Sequence, residues 1–287
     1  MKNQPTNILQ FELSPLVKAG VLITNLQNLI GPGEHDFSKP HRDTHYLLII
    51  ATNGRLELNL DFKEVAITAP AILFVFPGQV HHIIQFKELK GWVITFDPAL
   101  IDSAFQLVLE KGFRSPLLLY RQTAFYQQTV TLLDLMEKLQ SGVPDSYSGR
   151  SIQALLAALL SFIAGQIVTE APDKNTRESR GVLIEQAFSQ LLKQHYKTWK
   201  QPARYAAELA VSVAHLNDTV KDITGTSVST HIQQRSILEA KRLLSYTDFN
   251  VKEIGYEAGY DEPVYFSKLF KKITGFTPLQ FRQQFRD

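Results

Sequence analysis

Two periodicities divide the chain. Between residues 20 and 97 apolar positions recur every second residue or in short unbroken runs, and after Pro98 they recur every third and fourth. In the first region Arg55–Leu60 alternates polar and apolar, which predicts a strand with Leu56, Leu58 and Leu60 on one buried face. Asn53-Gly54 reads as a turn before it; Asp61–Glu64 reads as the turn after it, with Val65–Ile67 as the returning strand. Ile72–Phe76 is a continuous apolar strand closed by Pro77-Gly78, and Gly91–Phe96 is another. Short strands separated by turn signals predict a β-sandwich or small barrel.

Beyond Pro98, Leu132, Leu135, Met136 and Leu139 keep helical spacing, as do Leu155, Leu159, Phe162 and Ile163. Two helices between residues 125 and 169 are expected, apolar enough to form a dimer interface. Ser151–Val168 is almost entirely apolar, but Gln153, Ser161, Gly165 and Gln166 interrupt it and no aromatic belt flanks it. It reads as a buried or intersubunit helix rather than a membrane span. Thr169–Arg180 is polar, holds a proline and lacks periodicity, the composition of a linker. The expected organisation is α+β in two domains. Residues 1–169 hold a barrel at about 20–97 and helices at about 100–169. A linker at 170–180 leads to an all-helical domain at 181–287.

That second domain contains one pattern twice. Val220–Gly225 (Val-Lys-Asp-Ile-Thr-Gly) recurs fifty residues on as Phe270–Gly275 (Phe-Lys-Lys-Ile-Thr-Gly), and Leu216 matches Phe266. Further back the offset is forty-nine, pairing Tyr205-Ala206 with Ile254-Gly255 and Val211 with Tyr260, so the second copy carries one extra residue between its helices. In that copy Asn250 is the expected N-cap, with Glu253 completing a capping box. Gly259 makes the turn, Asp261 or Glu262 caps the next helix, and Pro263 occupies its first turn. Phe266, Leu269, Phe270 and Ile273 stripe the inner face. Ile184, Phe188, Leu191 and Leu192 stripe a preceding helix; Ile237, Ala240 and Leu244 stripe a long helix joining the copies.

A duplicated helix-turn-helix unit is best explained as a bipartite reader of double-stranded DNA. The outer face of the second recognition helix offers Pro263, Val264, Tyr265, Ser267, Lys268, Lys271 and Lys272. Lysines neutralise phosphate or donate to guanine, and Val264 and Pro263 suit a thymine methyl. The first copy, capped by Ser212, offers Val213, Ala214, His215, Asn217, Asp218 and Lys221. Asn217 can read adenine and Asp218 can accept from cytosine, although Asp218 also repels phosphate. Charge supports the assignment. Residues 181–287 hold fourteen Lys/Arg against eleven Asp/Glu, and Val264–Arg286 holds five basic residues, Arg282 and Arg286 included, with no acidic one. The chain has no cysteine, which excludes disulfides, thiolate zinc sites and thiol catalysis. Met1–Pro5 lacks the apolar run of a signal peptide, so a cytoplasmic protein without membrane partners is expected.

Four segments closely resemble the DNA-binding domain of AraC-type transcription regulators: Glu239–Leu244, Val251–Asp261, Tyr265–Lys272 and Gly275–Arg282. Gly255 departs from the alanine usual there, which costs a helix roughly 1 kcal/mol, and Asp218 stands where a basic or neutral polar residue is more common. The N-terminal half more weakly resembles the cupin-like sensor domain of these regulators, a β-barrel or jelly roll, through His41–Tyr46, Asn53-Gly54 and Phe76–His82. The resemblance implies a regulator, expected to be an activator, whose barrel binds a small-molecule effector or helps it form a homodimer, with RNA polymerase as a further partner.

Candidate effector-contacting residues are Tyr46, Leu48, Phe74, Phe76, His82 and Trp92, each of which also suits simple core packing. His41, His45, His81 and His82 raise the alternative of a metal-dependent cupin enzyme fused to a DNA module. Metal cupins resemble a His-x-His pair closely followed by Glu; here His41 and His45 are four apart and the next Glu is Glu57. Residues four apart on a strand lie about 13 Å apart, an objection that weakens if His41 lies in a loop. No catalytic residue, cofactor or metal ligand is therefore assigned. A barrel that only dimerises is the remaining alternative.

Overall fold

The computed structural model describes residues 7–13, 17, 19–29, 36–101, 103–113, 115–142, 147–170 and 180–286. Contacts divide the chain into two compact units, Leu9–Asp173 and Lys174–Asp287 with Met1–Ile8. Most of the stretch read as a linker, 171–179, lies outside the described residues.

The first unit carries β1 (Leu9–Phe11), β2 (Val21–Asn25), α1 (Leu26–Leu29), β3 (His41–Asp43), β4 (Tyr46–Leu60), β5 (Lys63–Thr68), β6 (Ala71–Val75) and β7 (Val80–Phe96). These are followed by α2 (Ser103–Gly112), β8 (Leu117–Leu118), α3 (Ala124–Ser141) and α4 (Ser148–Glu170). The strands form one sheet in the order β1-β3-β7-β4-β6-β8, with β2 on β7 and β5 on β4. Strands β4 and β7 are long enough to serve both ends: β4 pairs β6 through Leu47–Ala51 and β5 through Arg55–Leu60.

The bend comes where a turn was expected. Asn53-Gly54 does not reverse the chain but lies inside β4, where the register against β7 shifts on both sides of Asn53. Gly54 has φ +86°, and a Cβ there would sit 2.4 Å from the carbonyl oxygens of Lys87 and Glu88. Only glycine fits this bulge. The real hairpin turn is shorter than expected: Asp61 and Phe62, at φ 46° and 70°, join Leu60 directly to Lys63.

Strand alternation sorts the apolar runs onto two faces. One face of the sheet, with Tyr46, Leu48, Ile50, Ile72, Phe74, Ile94 and Phe96, packs against Leu133 and Met136 of α3 and Ile152, Leu156, Leu159 and Ile163 of α4. The other face, with Ile49, Leu56, Leu58, Leu73, Leu89 and Val93, forms the barrel interior. Of the expected helical stripes, Met136, Leu159 and Ile163 are buried in this core and Leu132, Leu139 and Leu155 pack against it, whereas Leu135 and Phe162 are exposed. Ser148–Ile167 is long and apolar enough to cross a membrane, yet its inner face is part of this core.

The second unit is helical among its described residues: α5 (Arg180–His195), α6 (Pro202–Glu208), α7 (Val213–Thr224), α8 (Val228–Tyr246), α9 (Val251–Glu257), α10 (Pro263–Thr274) and α11 (Pro278–Phe285). Val228 and Ile232 of α8 join a core with Phe188, Tyr205, Leu216 and Val220, and the remainder of α8 packs on α9, α10 and α11. Its 19 residues span about 28 Å as one rod.

Candidate nucleic-acid interface and ligand cavity

Local capping fixes both recognition helices. The Ser212 hydroxyl accepts from the His215 N–H at the start of α7, and Gly225 ends it in a left-handed conformation. Pro263 opens α10 and Gly275 closes it the same way; Glu262 occupies the N-cap position without a side-chain bond. The capping box of Asn250 and Glu253 starts α9. Burial then repeats position by position: Leu216, Thr219 and Val220 are covered, as are Phe266, Leu269 and Phe270. The Gly255 departure has a packing reason. Its missing Cβ would lie 3.3 Å from the Phe266 ring, whereas in the first copy Ala206 accompanies the smaller Leu216.

The outer faces hold most of the proposed contact residues. Val213, Ala214, His215, Asp218 and Lys221 are exposed on α7; Val264, Tyr265, Lys268, Lys271 and Lys272 are exposed on α10, and Pro263 is half-buried. Two polar candidates are already engaged. The Asn217 Oδ1 accepts from the Val228 backbone N–H, tying α7 to α8, and the Ser267 hydroxyl donates to the Pro263 carbonyl. The basic run also divides. Arg282 donates to the carbonyls of Leu244 and Phe249, and Arg286 pairs with Asp248, so both act within the fold and the three lysines carry the exposed charge.

One half-buried cation ties the second copy to the end of α5 and to α8. The Lys200 ammonium donates to Tyr196 O (2.6 Å), Ser236 Oγ (2.7 Å) and Ala258 O (2.6 Å), using all three of its donors, and stands 4.3 Å from the Tyr260 ring centre. These partners belong to the end of α5, the middle of α8 and the α9–α10 turn. Burial, with Lys197 nearby, lowers its pKa to about 8. Between pH 8 and 10 the unfolded chain therefore holds a proton the folded one has released, so stability rises with pH. Burial raises Tyr205 to about 12, and its contribution is lost as pH rises from 10 towards that value. Urea unfolding followed by Trp199 fluorescence in a Trp92→Phe background is thus expected to strengthen from pH 8 to 10 and weaken above. Lys200→Met should remove the rise; a rise that persists would locate the proton elsewhere.

In the first unit the barrel interior encloses a cavity of about 360 Å³. Leu22, Leu26, Leu47, Ile49, Leu56, Leu58, Ile83, Leu89 and Val93 make its apolar wall, while His41, Asp43, His45 and His81 gather on its polar side. None of the six effector candidates lines it. Tyr46, Leu48, Phe74, Phe76 and Trp92 face the helices instead, and the Trp92 indole N–H donates to Glu137 of α3 (2.7 Å). His82 alternates outward from His81. Both runs are buried on two faces, so apolarity alone did not reveal which phase looks inward. The missed polar residue is Asp43; its signal is the alternation of His41, Asp43 and His45. Burial raises its carboxyl to about 7, and burial with His41 alongside lowers His81 to about 3.

Family comparison accounts for both units. The AraC-like ligand binding domain family matches residues 31–192, and the helix-turn-helix domain family matches residues 205–284. The chain belongs to the AraC family of transcription regulators. It is 35% identical over 270 residues to the arabinose operon regulatory protein of Escherichia coli, covering 91% of this chain and 89% of that one. It is 27% identical over 259 residues to the MmsAB operon regulatory protein of Pseudomonas aeruginosa, covering 88% and 80%. Among solved structures, the C-terminal domain of AraT, a response regulator from Geobacillus stearothermophilus, is 28% identical with a TM-score of 0.36, covering 39% of this chain and 91% of that one. The relatives of this regulator are transcription regulators, and the regulators of its helix-turn-helix class bind DNA.

Proposed function

We propose that this regulator is a homodimeric, cytoplasmic activator whose α7 and α10 enter successive major grooves on one face of double-stranded DNA, about 34 Å apart. The observation that carries this is the matched exposure of α7 and α10, held on the single rod of α8. The exposed apolar side chains of α3 and α4, Leu135 and Phe162 among them, supply a dimer surface. DNA-bound dimers then present a protein surface to RNA polymerase. The barrel cavity takes a small molecule with a mainly apolar body and a polar end, since its lining is mostly apolar, with Glu12, Thr24 and Thr95 as polar residues besides the His–Asp side. Such an effector acts only if it binds the DNA-competent and incompetent states unequally.

The test is binding of the full-length protein to fragments upstream of its own gene and its neighbours, with salt titration and unrelated DNA as competitor. Saturable binding that survives competitor and falls steeply with salt is expected. Equal binding to every fragment would refute a sequence-specific reader. On a mapped site, a screen of small apolar molecules in which none alters affinity would reduce the barrel to a dimerisation platform.

A further inference from the structure

Three buried side chains at the polar side of the cavity converge on one point. His41 and His81 lie directly opposite each other on β3 and β7, and Asp43, two residues on, shares their face. One potential ligand atom from each of the three lies within 4.8 Å of the others. The chain bends between β3 and β4, so His45 also returns to the cluster, its Nε2 3.8 Å from Asp43 Oδ2. The objection that residues four apart on a strand are too distant does not apply here.

The His81–Asp43 distance is that of two ligands rather than of hydrogen-bond partners. His81 Nε2 is 3.5 Å from Asp43 Oδ2, beyond the usual 2.7–3.2 Å of a hydrogen bond. Two atoms each bound at about 2.0–2.1 Å to a tetrahedral ion stand roughly 3.4 Å apart. The ring orientations point the same way. His41 Nδ1 meets the Lys39 carbonyl at 2.8 Å and His81 Nδ1 meets the Gln79 carbonyl at 3.2 Å. Each contact holds the proton on Nδ1 and turns Nε2 into the ligating nitrogen, the outer-shell arrangement of metal-binding histidines. Asp43 is 6% exposed, and its ion-pair partners among the described residues are histidines rather than Lys or Arg. A buried carboxylate in that setting is stabilised by a cation.

We propose that His41, Asp43 and His81 bind a first-row divalent metal ion such as Zn²⁺ at the wall of the barrel cavity. Two imidazoles and a carboxylate suit ions of that class. The remaining position is left for His45 or for a donor atom of a molecule in the cavity. The site stands independently of the effector reading, since it requires only the barrel.

The experiment uses tag-free, full-length protein, freed of metal by chelator dialysis and titrated with Co²⁺. One Co²⁺ per chain is expected, with the intense visible bands of a four-coordinate ion, and Zn²⁺ should displace it. His82→Gln, outside the cluster, should retain binding. Asp43→Asn, His41→Gln and His81→Gln should each weaken it by at least the ~10–100-fold typical of losing even an outer-shell partner. Circular dichroism melts of the metal-free variants establish that they are folded. X-ray absorption of the zinc-loaded wild type gives a measure independent of variants and should show two imidazoles. Absence of stoichiometric Co²⁺, or binding that ignores all three substitutions, or a zinc spectrum without imidazole, would overturn the site.

Discussion

Replacing Gly259 with alanine is expected to destabilise the C-terminal unit by about 2–5 kcal/mol, through left-handed backbone strain and overpacking together. Gly259 sits at φ +84° in the α9–α10 turn, and a Cβ there would lie 1.9 Å from the Lys197 carbonyl oxygen and 2.7 Å from Lys200 Cε. The oxygen belongs to backbone and cannot swing aside, so the turn must retreat from the end of α5. That movement also strains the Lys200 bond to Ala258 and displaces α10 relative to α7. Specific DNA binding should fall at least ~10-fold, the equivalent of about 1.4 kcal/mol. The first copy supplies the control. Ala210, at the matching position, already adopts φ 52°, so its turn accommodates a Cβ, and Ala210→Gly should stay within about 1 kcal/mol of wild type. Urea midpoints from Trp199 fluorescence decide the matter: a Gly259→Ala protein as stable as wild type would show that the turn is not the constraint.

Such features divide into those a sequence can reveal and those it cannot. Caps and stripes in the helical unit were legible because they are local. Asn250 with Glu253, Ser212, and Leu216 with Val220 are each set by residues within two turns of one another. The barrel was legible as an architecture but not in phase. Tyr46–Ala51 and Ala71–Val75 are apolar on both faces, because one face meets α3 and α4 and the other meets the cavity. Nothing within either run marks which residue looks inward, and five of the six effector candidates lie on the helix side. Arg282 was read as part of the basic face because its partners, Leu244 and Phe249, lie 38 and 33 residues away. Asp43 was passed over for the same reason: its meaning depends on His81, which only strand pairing brings opposite His41.

The exposed charge of the two recognition helices is unequal, and removing it should separate their roles. At matching positions α7 has Asp218, Lys221 and Asp222 where α10 has Lys268, Lys271 and Lys272. The proposed second reader therefore carries three positive charges and the first a net negative one, so α10 should supply most of the phosphate attraction. Lys271→Gln and Lys272→Gln are each expected to lower the slope of log affinity against log salt by about one unit and weaken all sequences alike, roughly fivefold each at 0.15 M salt. Lys268→Ala is different in kind. If its ammonium donates to guanine, the loss is about 1–3 kcal/mol on the specific site and preference relaxes at one base position. Lys221→Gln in α7 should matter less than either α10 phosphate contact, because Asp218 and Asp222 already oppose its field. Salt titrations of the four single variants on a mapped site and on unrelated DNA distinguish these roles. An effect of Lys221→Gln as large as that of Lys271→Gln would mean that the two helices share the backbone equally. A Lys268→Ala loss identical on every sequence would make Lys268 one more phosphate contact, leaving base readout in α10 to Val264 and Tyr265.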